Sequence, residues 1–325
     1  MRLHASFVAA SAALSFVALF VPSPSRACSI CQAGDPLFSA GGSTAQESGG
    51  FSAYLEFQAW SKTSGLLAEP GLPPEAGQEV NRGRQLSLYL GWTPIDRLTF
   101  TLTLPWRWNR ISEQPDGEEH EVSRLDGFGD LALNVGYVLW RDRPVLPSTW
   151  IEGRGFMKAP TGASEQRENG VQDPHLQVGT GSWDFGFGLA AAHRMEWASL
   201  YVSALYRDNQ GGSLDYRYGD VVLANLAVDA PLSHLLGGGA FDFLTPGLEL
   251  NYRYSEKDRS HGASYDDSGG SILYLTPSLR IRIPWFAGHR APFLRLAVQV
   301  PLTSQWLNGR QIEDEVWSAG LGMAF

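Results

Sequence analysis

The sequence predicts an all-β protein, an antiparallel transmembrane β-barrel of about twelve strands, and three observations predict it. Apolar residues recur at every second position in about twelve separate runs, which sends one set of side chains to each face of a strand. The connections between runs alternate in length. They are short near 93–97, 141–148, 193–196, 231–242 and 284–291, and longer and more polar near 61–81, 110–128, 160–181, 208–215, 256–270 and 303–314. Outer-membrane barrels have short periplasmic turns and longer outer loops, whereas a soluble sandwich has no reason to keep that parity. Finally, Trp317, Ala319, Leu321, Met323 and Phe325 alternate with Ser318, Gly320, Gly322 and Ala324. That strand has one apolar face, one small-residue face and an aromatic end.

Residues 1–27 read as an export signal. Arg2 and His4 form the n-region, Val8 to Val21 the apolar core, and Ser25-Arg26-Ala27 a small-x-small cleavage site. Acylation of Cys28 is an alternative, although Ser25 and Arg26 fit the usual lipobox poorly. Residues 28–49 are small, polar and glycine-rich and read as a periplasmic tail, leaving 50–325 for the barrel. Removing the signal takes two arginines and no acid, so the net charge moves from −9 to −11, which argues against nucleic acid as a partner. No segment after Ala27 has 18 uninterrupted apolar residues, so no transmembrane helix is expected. A mean hydropathy of −0.16 is compatible with a barrel, because half of every strand faces water.

The first strand sets Phe51, Ala53, Leu55, Phe57 and Ala59 against Ser52, Tyr54, Glu56, Gln58 and Trp60. The second sets Leu86, Leu88, Leu90 and Trp92 against Gln85, Ser87, Tyr89 and Gly91, and the third runs from Leu98 to Asn109. Further runs lie near 129–140, 149–159, 182–192, 197–207, 216–230, 243–255, 271–283, 292–302 and 315–325. Each is close to, or longer than, the ~9–11 residues a tilted membrane-spanning strand needs. Pro105, Pro277 and Pro301 interrupt strand patterns and are expected where pairing stops or bulges. Trp92, Trp106, Trp108, Tyr137, Trp183, Tyr216, Tyr218, Tyr252, Tyr254, Trp317 and Phe325 fall toward strand ends, where outward rings form interfacial girdles.

Charges on the lipid face are costly, so the other face must turn inward. That assigns Glu56, Arg107, Asp130, Glu152, Arg154, Lys158, Asp184, Arg207, Arg217, Asp229, Glu249, Arg253, Arg280, Arg282 and Arg295 to the lumen, with Tyr54, Trp60, Tyr89, Tyr201 and Tyr274 beside them. These groups either pair and plug the barrel or line a passage. Eight strands are filled by side chains and sixteen to eighteen leave a channel, so twelve does not decide. Mixed charges with aromatic walls suit small polar or aromatic solutes.

Nothing in the pattern calls for catalysis, a metal or a cofactor. His120, His175, His193, His234, His261 and His289 fall in loops, turns or at a strand end, where solvated rings are usual, and none sits mid-strand beside a serine. His120 among Glu118, Glu119 and Glu121 is a pattern that could attract a divalent cation, but it reads first as a solvated acidic loop. Cys28 and Cys31 are the only cysteines, and in an oxidising compartment a C-x-x-C reads as a disulfide. A soft-metal or partner-contact role stays open, though two thiolates make an incomplete zinc site. Gln32 stands where a c-type haem site needs histidine.

Five strings occur in a telling order: GFGDLALNVGY at 127–137, APTG at 159–162, GTGSWDFGFGL at 179–189, TPGLELNYRY at 245–254 and LYLTPSL at 273–279. Over about 80–325 the chain resembles the outer-membrane transporter family named for the MetA pathway of phenol degradation. The Cys28-x-x-Cys31 tail lies outside that pattern. The resemblance implies a porin-like barrel in the outer membrane, embedded in lipid and lipopolysaccharide, passing small solutes that include aromatic or hydrophobic ones. It implies no catalytic residues. A terminal strand like the one bearing Trp317, Leu321, Met323 and Phe325 is the kind that the barrel-assembly machinery reads. The competing expectation is a plugged scaffold whose tail engages a periplasmic cytochrome or metal-handling protein.

Overall fold

The computed structural model describes residues 50–64, 79–113, 120–168, 172–237, 239–264, 268–283, 291–303 and 311–325. The proposed signal segment, the tail with Cys28 and Cys31, and the acidic residues Glu118 and Glu119 lie outside these, as does the side chain of His120.

In chain order the strands are β1 (Gly50–Ser64), β2 (Glu79–Ile95), β3 (Leu98–Glu113), β4 (His120–Phe128), β5 (Leu131–Arg141), β6 (Thr149–Ala159), β7 (Asp184–Arg194) and β8 (Ser199–Asn209). They continue as β9 (Tyr216–Arg217), β10 (Val221–Asp229), β11 (Leu244–Ser255), β12 (Arg259–Ser260), β13 (Ala263–Ser264), β14 (Gly270–Arg282), β15 (Phe293–Pro301), β16 (Gln311–Glu313) and β17 (Val316–Ala324). One short helix, α1 (Leu232–Leu236), fills the turn before β11. The large sheet is antiparallel throughout and closes on itself, because β1 pairs with β2 on one side and with β17 and β16 on the other. Counting β4–β5 and β16–β17 as one wall strand each gives a closed barrel of twelve. β9, β12 and β13 form a separate small sheet among the longer loops.

The dyad rhythm sorts side chains as the alternation requires. Phe187 is 68% exposed and Trp317 63% exposed on the outer wall, joined by Phe51, Leu55, Phe57, Leu90, Leu102 and Leu321. Glu56 and Glu249, at 1% and 2%, are sealed inside. An apolar exterior around a polar interior is stable only when lipid covers the outside, so this is a membrane-spanning barrel of the outer-membrane type. Inward glycines make room for inward rings. A Cβ on Gly83 would collide with the Trp60 indole, and one on Gly320 with the Tyr54 phenol.

All three prolines mark breaks in the ladders. β3 pairs with β5 up to Thr103 and with β4 from Trp106 onward. Pro105 sits at the changeover, its carbonyl accepting the Gly129 N–H at 2.9 Å. The β14–β15 register skips from Leu275 to Ser278, past Pro277, and Pro301 ends β15.

Three expectations need correction. The supposed loop at 110–128 is largely strand, continuing β3 and supplying β4. Above the bilayer both faces of a ladder meet water, so the apolar half of the pattern disappears while the hydrogen bonds persist. The single run at 216–230 is broken. Tyr216 and Arg217 leave the wall for the small sheet, because Gly219 N–H is drawn to the buried Asp258 carboxylate (2.7 Å). Tyr216 and Tyr218 are therefore not girdle residues, and Arg217 is not on the barrel wall. It pairs with Asp208 and Asp220 above it.

Candidate functional site: the lumen

The inward charges are organised into clusters. Arg295 on β15 donates to Glu249 of β11 at 2.7 Å and lies 4.0 Å from Glu56 of β1. Glu56 also accepts from Tyr54 (3.3 Å) and Gln58 (3.0 Å). From Glu249 the chain of contacts continues through Asn251 (3.4 Å), Asn225 (2.9 Å) and Ser203 (3.1 Å) to β8. This belt crosses seven of the twelve wall strands. A second cluster joins Lys62, Arg253 and Tyr274 on the Glu313 carboxylate. Smaller pairs are Arg154–Glu152 at 2.9 Å and Arg280–Asp229 at 2.8 Å. Arg282 is exposed near the mouth, 3.4 Å from the Asp242 carbonyl. Burying charges is tolerable here because they are paired and hydrogen-bonded.

The third cluster holds a loop in place. The connection from β6 to β7 is anchored to the wall by Asp130. Asp130 accepts from the backbone of Gly162 (3.0 Å) and Thr180 (2.9 Å) and pairs with Lys158 (3.2 Å), which also reaches Asp184 (2.6 Å). Gly129, Gly162 and Gly179 stack backbone against backbone, where a Cβ on either of the last two would collide with the chain beside it. Three of the strings singled out by order in the sequence, those holding Asp130, Gly162 and Thr180, thus meet at one point. Beyond the anchor the segment turns inward against β3. Asn109 donates to the Leu176 and Gln177 carbonyls (3.1 and 2.9 Å), Arg107 donates to Gln85 (2.9 Å) and to the Val178 carbonyl (3.4 Å), and Leu176 and Val178 are fully buried.

A latch on the outer side completes the arrangement. The His175 ring lies 3.1 Å from both the Asp173 carboxylate and the Tyr216 hydroxyl, and that hydroxyl donates to Asp258 at 2.6 Å. The Tyr218 hydroxyl donates to the Pro174 carbonyl at 2.9 Å. Burial raises the Asp173 carboxyl, but its bonds with His175 outweigh this and hold it below the ordinary carboxylate value. Asp258 goes the other way, pushed up by burial despite the donors around it.

Between the inward segment and the wall lies a cavity of about 120 Å³. Arg107, Asp130, Lys158, Asp184 and Arg207 face it, along with Trp60 and Tyr89. Of the sequence-predicted groups, these seven share one chamber. Glu56, Glu249, Arg253 and Arg295 belong to the belt and the neighbouring Glu313 cluster, while Asp229, Arg280 and Arg282 lie toward the other mouth. Trp317, Leu321, Met323 and Phe325 are on the outer wall side, and the Phe325 and Phe51 backbones exchange hydrogen bonds.

Compared with solved structures, the chain aligns with the COG4313 outer membrane channel from Pseudomonas putida F1 at a TM-score of 0.59 and 15% identity, over 86% of this chain and 97% of that one. The chain has the fold of that channel barrel. The translocator domain of the autotransporter NalP from Neisseria meningitidis (TM-score 0.47, 13% identity, 84% and 88% coverage) and the TodX deltaS2S3 mutant monoaromatic hydrocarbon channel (0.44, 8%, 86% and 91%) align too loosely to add to the argument. No protein-family model and no curated protein sequence matches the chain.

Sequence reasoning missed His175, Asn134, Phe156 and Asn209, which also face the chamber. His175 was expected to be solvated; the inward fold of its segment buries it in part and gives it partners. The available signal was Leu176 and Val178, two apolar residues flanking Gln177 inside a polar loop.

Proposed function

We propose that this chain is an outer-membrane channel for passive passage of small solutes, aromatic or hydrophobic ones included. The observation that carries the reading is the chamber of about 120 Å³ left between the inward segment and a wall of charges and rings. Twelve strands lie between the eight that side chains fill and the sixteen to eighteen that leave an open channel. Here a loop segment narrows the lumen and leaves a ring-sized gap. The order of the five sequence strings supports kinship with the transporter family named for the MetA pathway, and the convergence of three of them on the Asp130 anchor gives that order a physical sense. Solutes would move down their gradient, with Arg107, Arg207, Arg280 and Arg282 biasing the choice by charge.

Purified, refolded protein in planar bilayers and swelling liposomes tests this. Expected are small conductance in the intact chain, larger conductance when residues 172–178 are replaced by a short Gly-Ser link, and a shifted reversal potential in R280E/R282E. Absence of conductance and flux in both chains rejects the channel. The second reading, a plugged scaffold that engages a periplasmic partner through residues 28–49, draws its support from the extent of buried ion pairing, and a sealed barrel is the outcome it requires.

A further inference from the structure

We propose that the lumen chamber is a binding site for a small ring-bearing monocarboxylate, in which the carboxylate meets the lining cations and amides and the ring lies among aromatic walls. This deepens the channel reading and rests on it.

Size comes first. A dry cavity of ~150 Å³ admits benzene, and this one, at about 120 Å³, is on the scale of a single six-membered ring. Trp60, Tyr89, Phe156 and Tyr218 face it and offer π-surfaces on several sides. Charge comes second. The lining holds three cations, Arg107, Lys158 and Arg207, against two carboxylates, Asp130 and Asp184. Lys158 pairs with both acids, and these five charged side chains sum to a formal +1, a balance that suits an anionic ligand better than a cationic one.

The unsatisfied polar atoms are the independent sign of a ligand. Asn134 projects inward from β5 between Thr101 and Phe156. Both its amide oxygen and its amide nitrogen are buried and without a hydrogen-bond partner among the described residues. Asn209, only 2% exposed, spends its amide nitrogen on the Gly219 carbonyl, and its Oδ1 has no partner among the described residues. Both residues face the chamber. Buried polar groups normally find partners, as those of the belt and of the Asp130 anchor do. Two orphaned amides at the same gap therefore offer a donor to a carboxylate oxygen and acceptors to a ring hydroxyl or amide.

The test is titration calorimetry on the full chain in micelles with benzoate and benzylamine, which share a ring and differ in charge. Intact protein is expected to bind benzoate and to prefer it to benzylamine by at least about tenfold. N134L should weaken benzoate about tenfold, as loss of a buried charge-assisted hydrogen bond does. The near-isosteric N134D, which brings the chamber to neutrality, should weaken benzoate and narrow or invert the preference. Heat-modifiable mobility on gels checks that each variant has folded. Absence of benzoate binding, equal binding of benzylamine, or unchanged affinity in folded N134D overturns the assignment. Flux without benzoate binding sinks this site alone, whereas benzoate binding without flux sinks the channel reading and leaves the site standing.

Discussion

At the scale of single residues, an exposed turn shows how few groups set its geometry. Asp142, just past the end of β5, accepts from the Ser148 hydroxyl and from the Ser148 and Thr149 amides at 2.9 and 3.1 Å. The Ser148 hydroxyl, followed by the Thr149 amide, holds the carboxyl down at about 2 against an ordinary 3.8. A depressed carboxyl adds stability that is complete above the ordinary value and is lost as pH falls through the folded one. The 142–148 turn should therefore stay protected from amide exchange at pH 4 to 7 and open as pH falls toward 2. S148A should move the Asp142 titration, followed by carboxyl NMR shifts, back toward 3.8. An unmoved titration would show that the bond does not set the value. Gly83 and Gly320 make the complementary point, since the absence of a side chain admits the Trp60 and Tyr54 rings to the lumen.

At the scale of elements, the inward segment hangs on Asp130. D130N keeps one acceptor but leaves Lys158 with a single carboxylate in a buried setting, and breaking one partner of a buried pair costs on the order of 3–5 kcal/mol. The expected outcome is cleavage within 160–183 by protease added outside proteoliposomes, together with higher conductance. A segment as resistant as in the intact chain would show that the glycine stack and the His175–Tyr216 latch suffice without the anchor. The wall strands were legible in the sequence because lipid enforces a period of two on them. The Asp130 anchor was only half legible. Asp130, Lys158 and Asp184 were marked as inward charges, but no periodicity relates a wall strand to residues 162 and 180 in a loop. β4 was hidden for the opposite reason, since a ladder standing in water carries no apolar mark. Tyr216 and Tyr218 looked like girdle rings because alternation runs on through 216–230, and only the pull of Asp258 on Gly219 takes them off the wall.

At the scale of the whole molecule, the barrel stands on one division of faces, which can be probed position by position. Nitroxide labels at L102C and T103C sit on adjacent residues of β3, the first outward and exposed, the second facing the chamber. In proteoliposomes L102C should be relaxed by membrane-dissolved oxygen and T103C should be shielded from it. Equal accessibility would deny the closed wall. The lengths of β1, β2 and β3, at 15, 17 and 16 residues, carry a further consequence. At ~3.3 Å per residue and a tilt of about 40°, such strands climb roughly 40 Å, against an apolar band of about 25 Å. One flank of the cylinder thus rises some 15 Å clear of the acyl chains as a rigid palisade, while β8, β10 and β15, of 11, 9 and 9 residues, stop lower. Molecules arriving from outside meet that tall breakwater along β1–β3, and across from it the small sheet of β9, β12 and β13 standing over the connections of β8 to β14.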